Sequence, residues 1–241
     1  MSQPETIDFG KGSHARVVQV EPDSDPAQAL AQVGITDYKA AIVMHSGAAF
    51  MIERYQRKLA RIFTEGLARF ADDNGLLLAD GGTAAGGMKL IGQSRAAIEA
   101  RFPLVGVAVA ALVTYPGGPA PDENRWPLDP HHSHFILVDG HDFGDESPLL
   151  VGLTSARAVP ALALIVNGGD LVRREAEVQA RRGIPLVVLK GSGRFADELA
   201  ESKPSSPLRA HYPPDAVLRV FDTTAEPPQA LYELLAEMCN S

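Results

Sequence analysis

Apolar residues along the chain fall into two kinds of run that alternate. Short continuous runs at 40–44, 76–79, 135–138, 161–166 and 185–189, with a longer one at 104–113, read as buried strands. Weaker strands are read at 16–20 and 216–221. Between them the spacing turns helical. Tyr55, Leu59, Ile62, Phe63, Leu67 and Phe70 recur at three- and four-residue steps and predict an amphipathic helix over 50–70. Met88, Ile91 and Ile98 predict another from Ala84 onward, and 171–182 and 195–201 two more, the former ended by Gly183. Residues 26–33 open with proline and stop at Gly34, while Leu231, Leu234, Leu235 and Met238 form a closing helix begun at Pro227-Pro228. Residues 1–12 read as a loose start. This alternation predicts an α/β fold, a parallel sheet with helices on both faces.

The strands share a second feature: they end in glycine. The 76–79 run breaks at once into Asp80-Gly81-Gly82-Thr83 and then feeds a helix, whose first backbone N–H groups have no intrahelical partner and suit an anion. Similar endings are His45-Ser46-Gly47, Asp139-Gly140, Asn167-Gly168-Gly169-Asp170 and Lys190-Gly191-Ser192-Gly193-Arg194. In a parallel sheet all such ends lie on one edge, where doubly wound folds bind their ligands. Small-residue loops gathered there predict one crevice for a phosphate-bearing ligand.

Composition narrows the setting. With 241 residues, 45% hydrophobic and 22% charged, a single domain over 1–241 accounts for the length. A formal charge of −8 argues against a nucleic-acid partner or an anionic membrane surface, so an anionic ligand has to be held locally. Cys239 is the only cysteine, which excludes an intramolecular disulfide and a thiolate metal cluster. With neither a leader-like opening nor an apolar run of bilayer length, the expectation is a cytoplasmic protein. Arg54, Arg57, Lys58 and Arg61 read as a solvated helix face, because Glu53 and Glu65 interleave with them. The proline-rich stretch 115–130, which carries the only tryptophan, reads as a long surface loop, with a binding lid and disorder both open. In His131-His132-Ser133-His134 the second and third histidines would share a strand face; without a carboxylate at recognisable spacing, a hydrogen-bonded histidine bracing the crevice is favoured over a metal site.

Three segments in order, 81–88, 132–140 and 191–197, resemble the LSDAT family of the SLOG superfamily. Its best-known members are the N-terminal cytoplasmic regions of melastatin-type TRP channels, and it also has stand-alone prokaryotic members. The resemblance covers about 40–200, with 204–241 adding a last strand and helix. It implies a Rossmann-like domain that needs no cofactor and binds a small nucleotide-derived ligand, with ADP-ribose-like or NAD-derived molecules as leading candidates. Residue by residue, the resemblance places His45, Ser46 and Gly47 beside the ligand and Gly81, Gly82, Thr83 and Gly86 around phosphate. It adds Gly168, Gly169, Gly191, Ser192 and Gly193, and gives Arg194 the grip on phosphate, a task that suits a forked guanidinium. The chain departs from the family pattern at Asp80, where relatives carry a neutral residue, and at Asp170-Leu171-Val172, where a glycine and a hydroxyl are lost. Asp170 reads instead as a cap for the next helix.

Two functional classes follow. One is a sensor that passes its signal through oligomerisation or an effector protein. The other is an N-glycosidase of the nucleoside-monophosphate phosphoribohydrolase type, whose glutamate in Gly-Gly-x-Gly-Thr-x-x-Glu is matched in spacing by Glu175. Those enzymes also carry an arginine-bearing motif, whereas Arg157 is the only arginine between Val138 and Pro160. The sequence therefore favours binding, with Glu175 as the catalytic candidate should turnover occur.

Overall fold

The structure, a computed structural model, describes residues 4–47 and 53–239, without the side chains of 53–55 and 58. In chain order the elements are β1 (Glu5–Gly10), β2 (Ser13–Val20), α1 (Pro26–Val33), β3 (Ala41–Ser46) and α2 (Glu53–Arg61). The chain then widens into a π-helical segment, Ile62–Ala68, before α3 (Arg69–Asn74), β4 (Leu77–Asp80), α4 (Gly86–Ala97) and β5 (Leu104–Val109). Next come β6 (Val113–Thr114), β7 (Trp126–Pro127), β8 (His134–Val138), α5 (Ser147–Gly152), β9 (Ala161–Val166) and α6 (Asp170–Arg181). The last elements are β10 (Leu186–Lys190), α7 (Arg194–Glu201), β11 (Leu218–Asp222) and α8 (Pro228–Cys239). Among these helices none is long and apolar enough to cross a membrane.

Nine strands form one sheet in the order β1-β2-β8-β5-β4-β3-β9-β10-β11. Every neighbouring pair is parallel except β1 with β2. The fold is therefore α/β and Rossmann-like. From β3 the chain steps one way through β4, β5 and β8, then crosses back to lay β9 on the other side of β3 and continues to β10 and β11. The reversal leaves a crevice above the C-terminal ends of β3 and β9, where their loops diverge. One face of the sheet buries Ile42, Leu78 and Leu164 against Phe63, Leu67 and Leu231, and the other buries Val43, Ala79 and Val107 against Leu30, Val33 and Leu150. The central strands are thus covered on both sides, which is why they read as unbroken apolar runs.

Several expectations need correction. Residues 5–10 are not loose: Ile7 is buried and the strand pairs antiparallel with β2 across the Lys11-Gly12 turn. The run at 104–113 is not one strand, because β5 stops at Val109 and a 3-10 turn, Ala110–Leu112, redirects the chain into β6. Stretch 115–130 folds back on the molecule, pairing β7 with β6 and burying Leu128 and Asp129. Asp170 opens α6 rather than capping it, with Gly169 at the cap position and no side-chain cap bond. Helix α5 was not anticipated. Of the 50–70 helix, Phe50 and the side chains of Glu53, Arg54, Tyr55 and Lys58 lie outside the described residues; Leu59, Ile62, Phe63, Leu67 and Phe70 all face the core.

Candidate functional site

At the β3–β9 reversal lies a cavity of about 290 Å³. Its walls include His45, Ser46 and Gly47 after β3, Gly81 and Thr83 after β4, Gly169 and Asp170 after β9, Glu175 on α6, and Arg194 at the start of α7. These come from five separate glycine-ended or helical segments, brought together by sheet order alone. Gly82, Gly86, Gly168, Gly191, Ser192 and Gly193 do not line it. They shape the loops behind it.

Gly82 shows how. Its φ is +68°, and a Cβ there would lie 2.7 Å from the Gly106 Cα on β5. Only glycine lets the loop lie this close to the sheet. The loop is pinned further by the returning 115–130 stretch: Asp129 N–H donates to the Gly82 carbonyl at 2.9 Å, and Ala84 N–H to Pro127 at 2.8 Å. Gly82 N–H is donated to Asp80 Oδ1 at 2.7 Å. The N–H groups of Gly82 and Ala84 are therefore already committed, leaving the first turn of α4 and Gly81 nearest the cavity.

Asp80, the departure from the family pattern, is buried beneath this loop. His132 Nε2 lies 2.9 Å from Asp80 Oδ1, and its Nδ1 lies 3.0 Å from Asp129 Oδ2. The imidazole stacks on Phe135 at 5.5 Å. Burial alone would depress its pKa, but the carboxylates of Asp80 and Asp129 outweigh burial and raise it to about 9. His132 is thus a charged brace joining the 76–82 loop, the 115–130 stretch and the start of β8. His134 is the opposite case: burial, reinforced by the positive charges of Arg16 and Arg95, lowers it to about 4.

The rim between β9 and β10 is tied as tightly. Asn167, with φ at +54°, accepts its neighbour Gly168's N–H on Oδ1 and donates Nδ2 to the Ser192 carbonyl at 2.9 Å. Its own N–H donates to Ser192 Oγ at 2.8 Å. The first N–H groups of α7, at Phe195 and Ala196, donate to Gly168 and Asn167 carbonyls. Helix α7 therefore offers the cavity its arginine rather than its N-terminus. Arg194, itself at φ +53°, is exposed and passes so close to Gly169 that a Cβ there would lie 2.6 Å from its guanidinium. The start of the twelve-residue α6 does face the cavity, through Asp170, Leu171 and Val172.

The floor is a buried polar network that the sequence disclosed only at its ends. Glu175 and Gln179, one helical turn apart on α6, both point at His45 on β3. Gln179 Nε2 donates to His45 Nε2 at 3.2 Å, which leaves the imidazole proton on Nδ1, donated to Glu175 Oε2 at 2.9 Å. Ser147 on α5 donates to the other carboxylate oxygen, and Thr154 reaches the Gln179 amide oxygen at 3.0 Å. Both nitrogens of His45 and both oxygens of Glu175 are thus occupied within the protein. Glu146, also in the wall, has its pKa raised by burial and, to a lesser degree, by the neighbouring Glu175.

Two further residues complete the wall: Ser46, expected there from the resemblance, and Phe143, which sequence reasoning missed. Among the described residues Ser46 Oγ, which is buried, has no hydrogen-bond partner, and Ser46 lines the cavity. Phe143 is 59% exposed at the mouth, where it also lines a neighbouring groove of about 550 Å³ together with Leu171, Arg174, Glu175 and Val178. An exposed aromatic one residue before Gly144 was the available signal.

Against known families, the one described as "SLOG in TRPM, prokaryote" matches residues 39–228, the segment that runs from β3 to the start of α8. The chain belongs to this family. The chain also aligns with transient receptor potential cation channel subfamily M member 2 of Mus musculus, 28% identical over 227 residues. A transient receptor potential channel of Caenorhabditis elegans is 26% identical over 235 residues. These alignments take in 79% and 80% of this chain but only 15% and 11% of the channels, so the chain spans a small part of their length.

Proposed function

We propose that the crevice binds a nucleotide-derived ligand of the ADP-ribose or NAD-derived type and that the domain acts as a sensor rather than a hydrolase. The observation that carries this reading is the pairing of an exposed Arg194 with an unpartnered, buried Ser46 Oγ across one cavity at the strand reversal. Arg194 and the first turn of α6 supply positive potential for phosphate. Ser46, Asp170 and Glu146 suit sugar hydroxyls. The inner volume of about 290 Å³ is at the small end for ligand pockets, which run from roughly 300 Å³. A ligand with two nucleotide-like halves would extend past Phe143 into the adjoining groove.

Hydrolysis is disfavoured by the state of Glu175. Each of its oxygens already accepts a hydrogen bond, from Ser147 and from His45, which fixes the carboxylate in a structural network and lowers its basicity toward water. A thermal-shift series with ADP-ribose, cyclic ADP-ribose, NAD and AMP tests binding, because a ligand of the native state raises apparent stability. Chromatography of the same mixtures for free adenine or nicotinamide tests turnover. The expected result is stabilisation without base release. Rapid release that falls by at least about a hundredfold in Glu175→Gln would establish the hydrolase instead.

A further inference from the structure

A second cavity, this one basic, lies at the other end of the strands. At the N-terminal ends of β2 and β8, a space of about 610 Å³ is enclosed by the β1–β2 turn, the last turn of α4 and the segment leading into β8. Its charged and polar walls are Lys11, Ser13, His14, Arg95, His131 and His132. None of its lining residues is acidic, in a chain where Asp and Glu outnumber Lys and Arg by 30 to 22. Asp8, on the same hairpin, is outside the lining and is engaged by Gly10 N–H and His14.

Arg95 is the centre of this arrangement. It is half-buried, and desolvation lowers its pKa while Asp72 acts on it only through a weaker, longer-range attraction. Among the described residues no carboxylate lies within ion-pairing distance of it; it bonds the carbonyls of Phe102 and His131 and lies over the Phe102 ring, 5.7 Å from its centroid. A desolvated guanidinium normally has an anion beside it, because the charge otherwise goes uncompensated. The local potential is positive enough that Arg95 and Arg16 both help to keep neighbouring His134 neutral. Lys11, exposed on the turn at φ +52°, stands at the mouth of the same space.

We infer that this cavity is a second anion site, for a multiply charged phosphate such as pyrophosphate or the polyphosphate end of a larger molecule. Arg95 is its half-buried anchor, Lys11 its exposed outer charge, and the charged His132 adds to the positive potential of its wall. The site is independent of the crevice. His132 nevertheless lines it while bonding Asp80, so an anion here sits against the brace beneath the 81–83 loop.

The test is pyrophosphate binding by calorimetry at low salt, with the wild type and the variants Arg194→Ala, Lys11→Gln and Arg95→Gln. Binding is expected to survive Arg194→Ala, to weaken at least about tenfold in Arg95→Gln, and to weaken about threefold or more in Lys11→Gln. Lys11 is exposed on a turn, so its variant keeps the test intact even if Arg95→Gln unfolds the protein. The inference is overturned if the wild type binds no pyrophosphate, if Arg194→Ala removes all of it, or if Lys11→Gln leaves the affinity unchanged. An Arg95→Gln variant that melts earlier yet binds as well as wild type would reduce Arg95 to a clamp on two carbonyls, and would overturn it equally.

Discussion

Arg194 illustrates what a residue's type discloses and what it hides. An arginine one position after Gly191-Ser192-Gly193 was readable as a phosphate grip, and the structure does bring it to the cavity wall. Its left-handed backbone, at φ +53°, was not readable; such a conformation is uncommon for a side chain without a short polar group and marks a position held by its surroundings. Arg194→Ala is expected to weaken ADP-ribose or NAD binding by roughly 10- to 150-fold, the range of a charge-assisted contact worth about 1.5 to 3 kcal/mol, without lowering Tm. Calorimetry beside a melting curve checks both halves. Glu175 is the converse case. Its spacing suggested chemistry, but spacing along one helix could not reveal that Ser147 and His45, from two distant elements, would claim its oxygens.

At the scale of elements, the buried parallel strands were legible because both their faces are apolar, and their glycine ends because each loop must turn sharply at the same edge. Strand β1 was not, since only Ile7 of its six residues is buried and an edge strand needs little more. Helix α5 escaped for a different reason: at six residues, opened by Ser147-Pro148, it is too short to show a period. The π-helical segment 62–68 could not be read either, as its amphipathic pattern is that of an ordinary helix. Its Gly66 packs on α8, where a Cβ would lie 2.9 Å from the Pro228 carbonyl and 3.3 Å from Leu231 Cβ. Gly66→Ala should therefore cost about 1 to 3 kcal/mol by overpacking, despite alanine's better helix propensity. Urea unfolding measures it; a stabilised variant would mean that α8 shifts freely.

For the whole molecule, the charged brace at His132 predicts a dependence of stability on pH. Its folded pKa of about 9 lies above the ordinary 6.5, so the native state binds the proton more tightly than the unfolded chain. The groups facing it are Asp80, Asp129 and the ring of Phe135. The contribution is complete below about pH 6.5 and fades as pH rises through about 9, a loss on the order of 3 kcal/mol for a shift of this size. Denaturation curves at pH 6, 8 and 9.5 should show it in the wild type. His132→Gln should be less stable at pH 6 and nearly flat across the same range. A wild type equally stable at all three would mean that the three groups share their protons differently.

The bonded rim of Asn167 and Ser192 bears finally on how fast a ligand can arrive. With the β9 and β10 loops joined by backbone and side-chain bonds, and the start of α7 fastened to both, this wall has no hinge to close. On the side of this rim, association is expected to need diffusion alone, with no rearrangement of the wall afterwards. In a stopped-flow experiment with a fluorescent nucleotide analogue, the observed rate should rise in a straight line with concentration, as a single exponential. A plateau at high concentration would reveal a slow isomerisation, and with it a gate somewhere other than this rim.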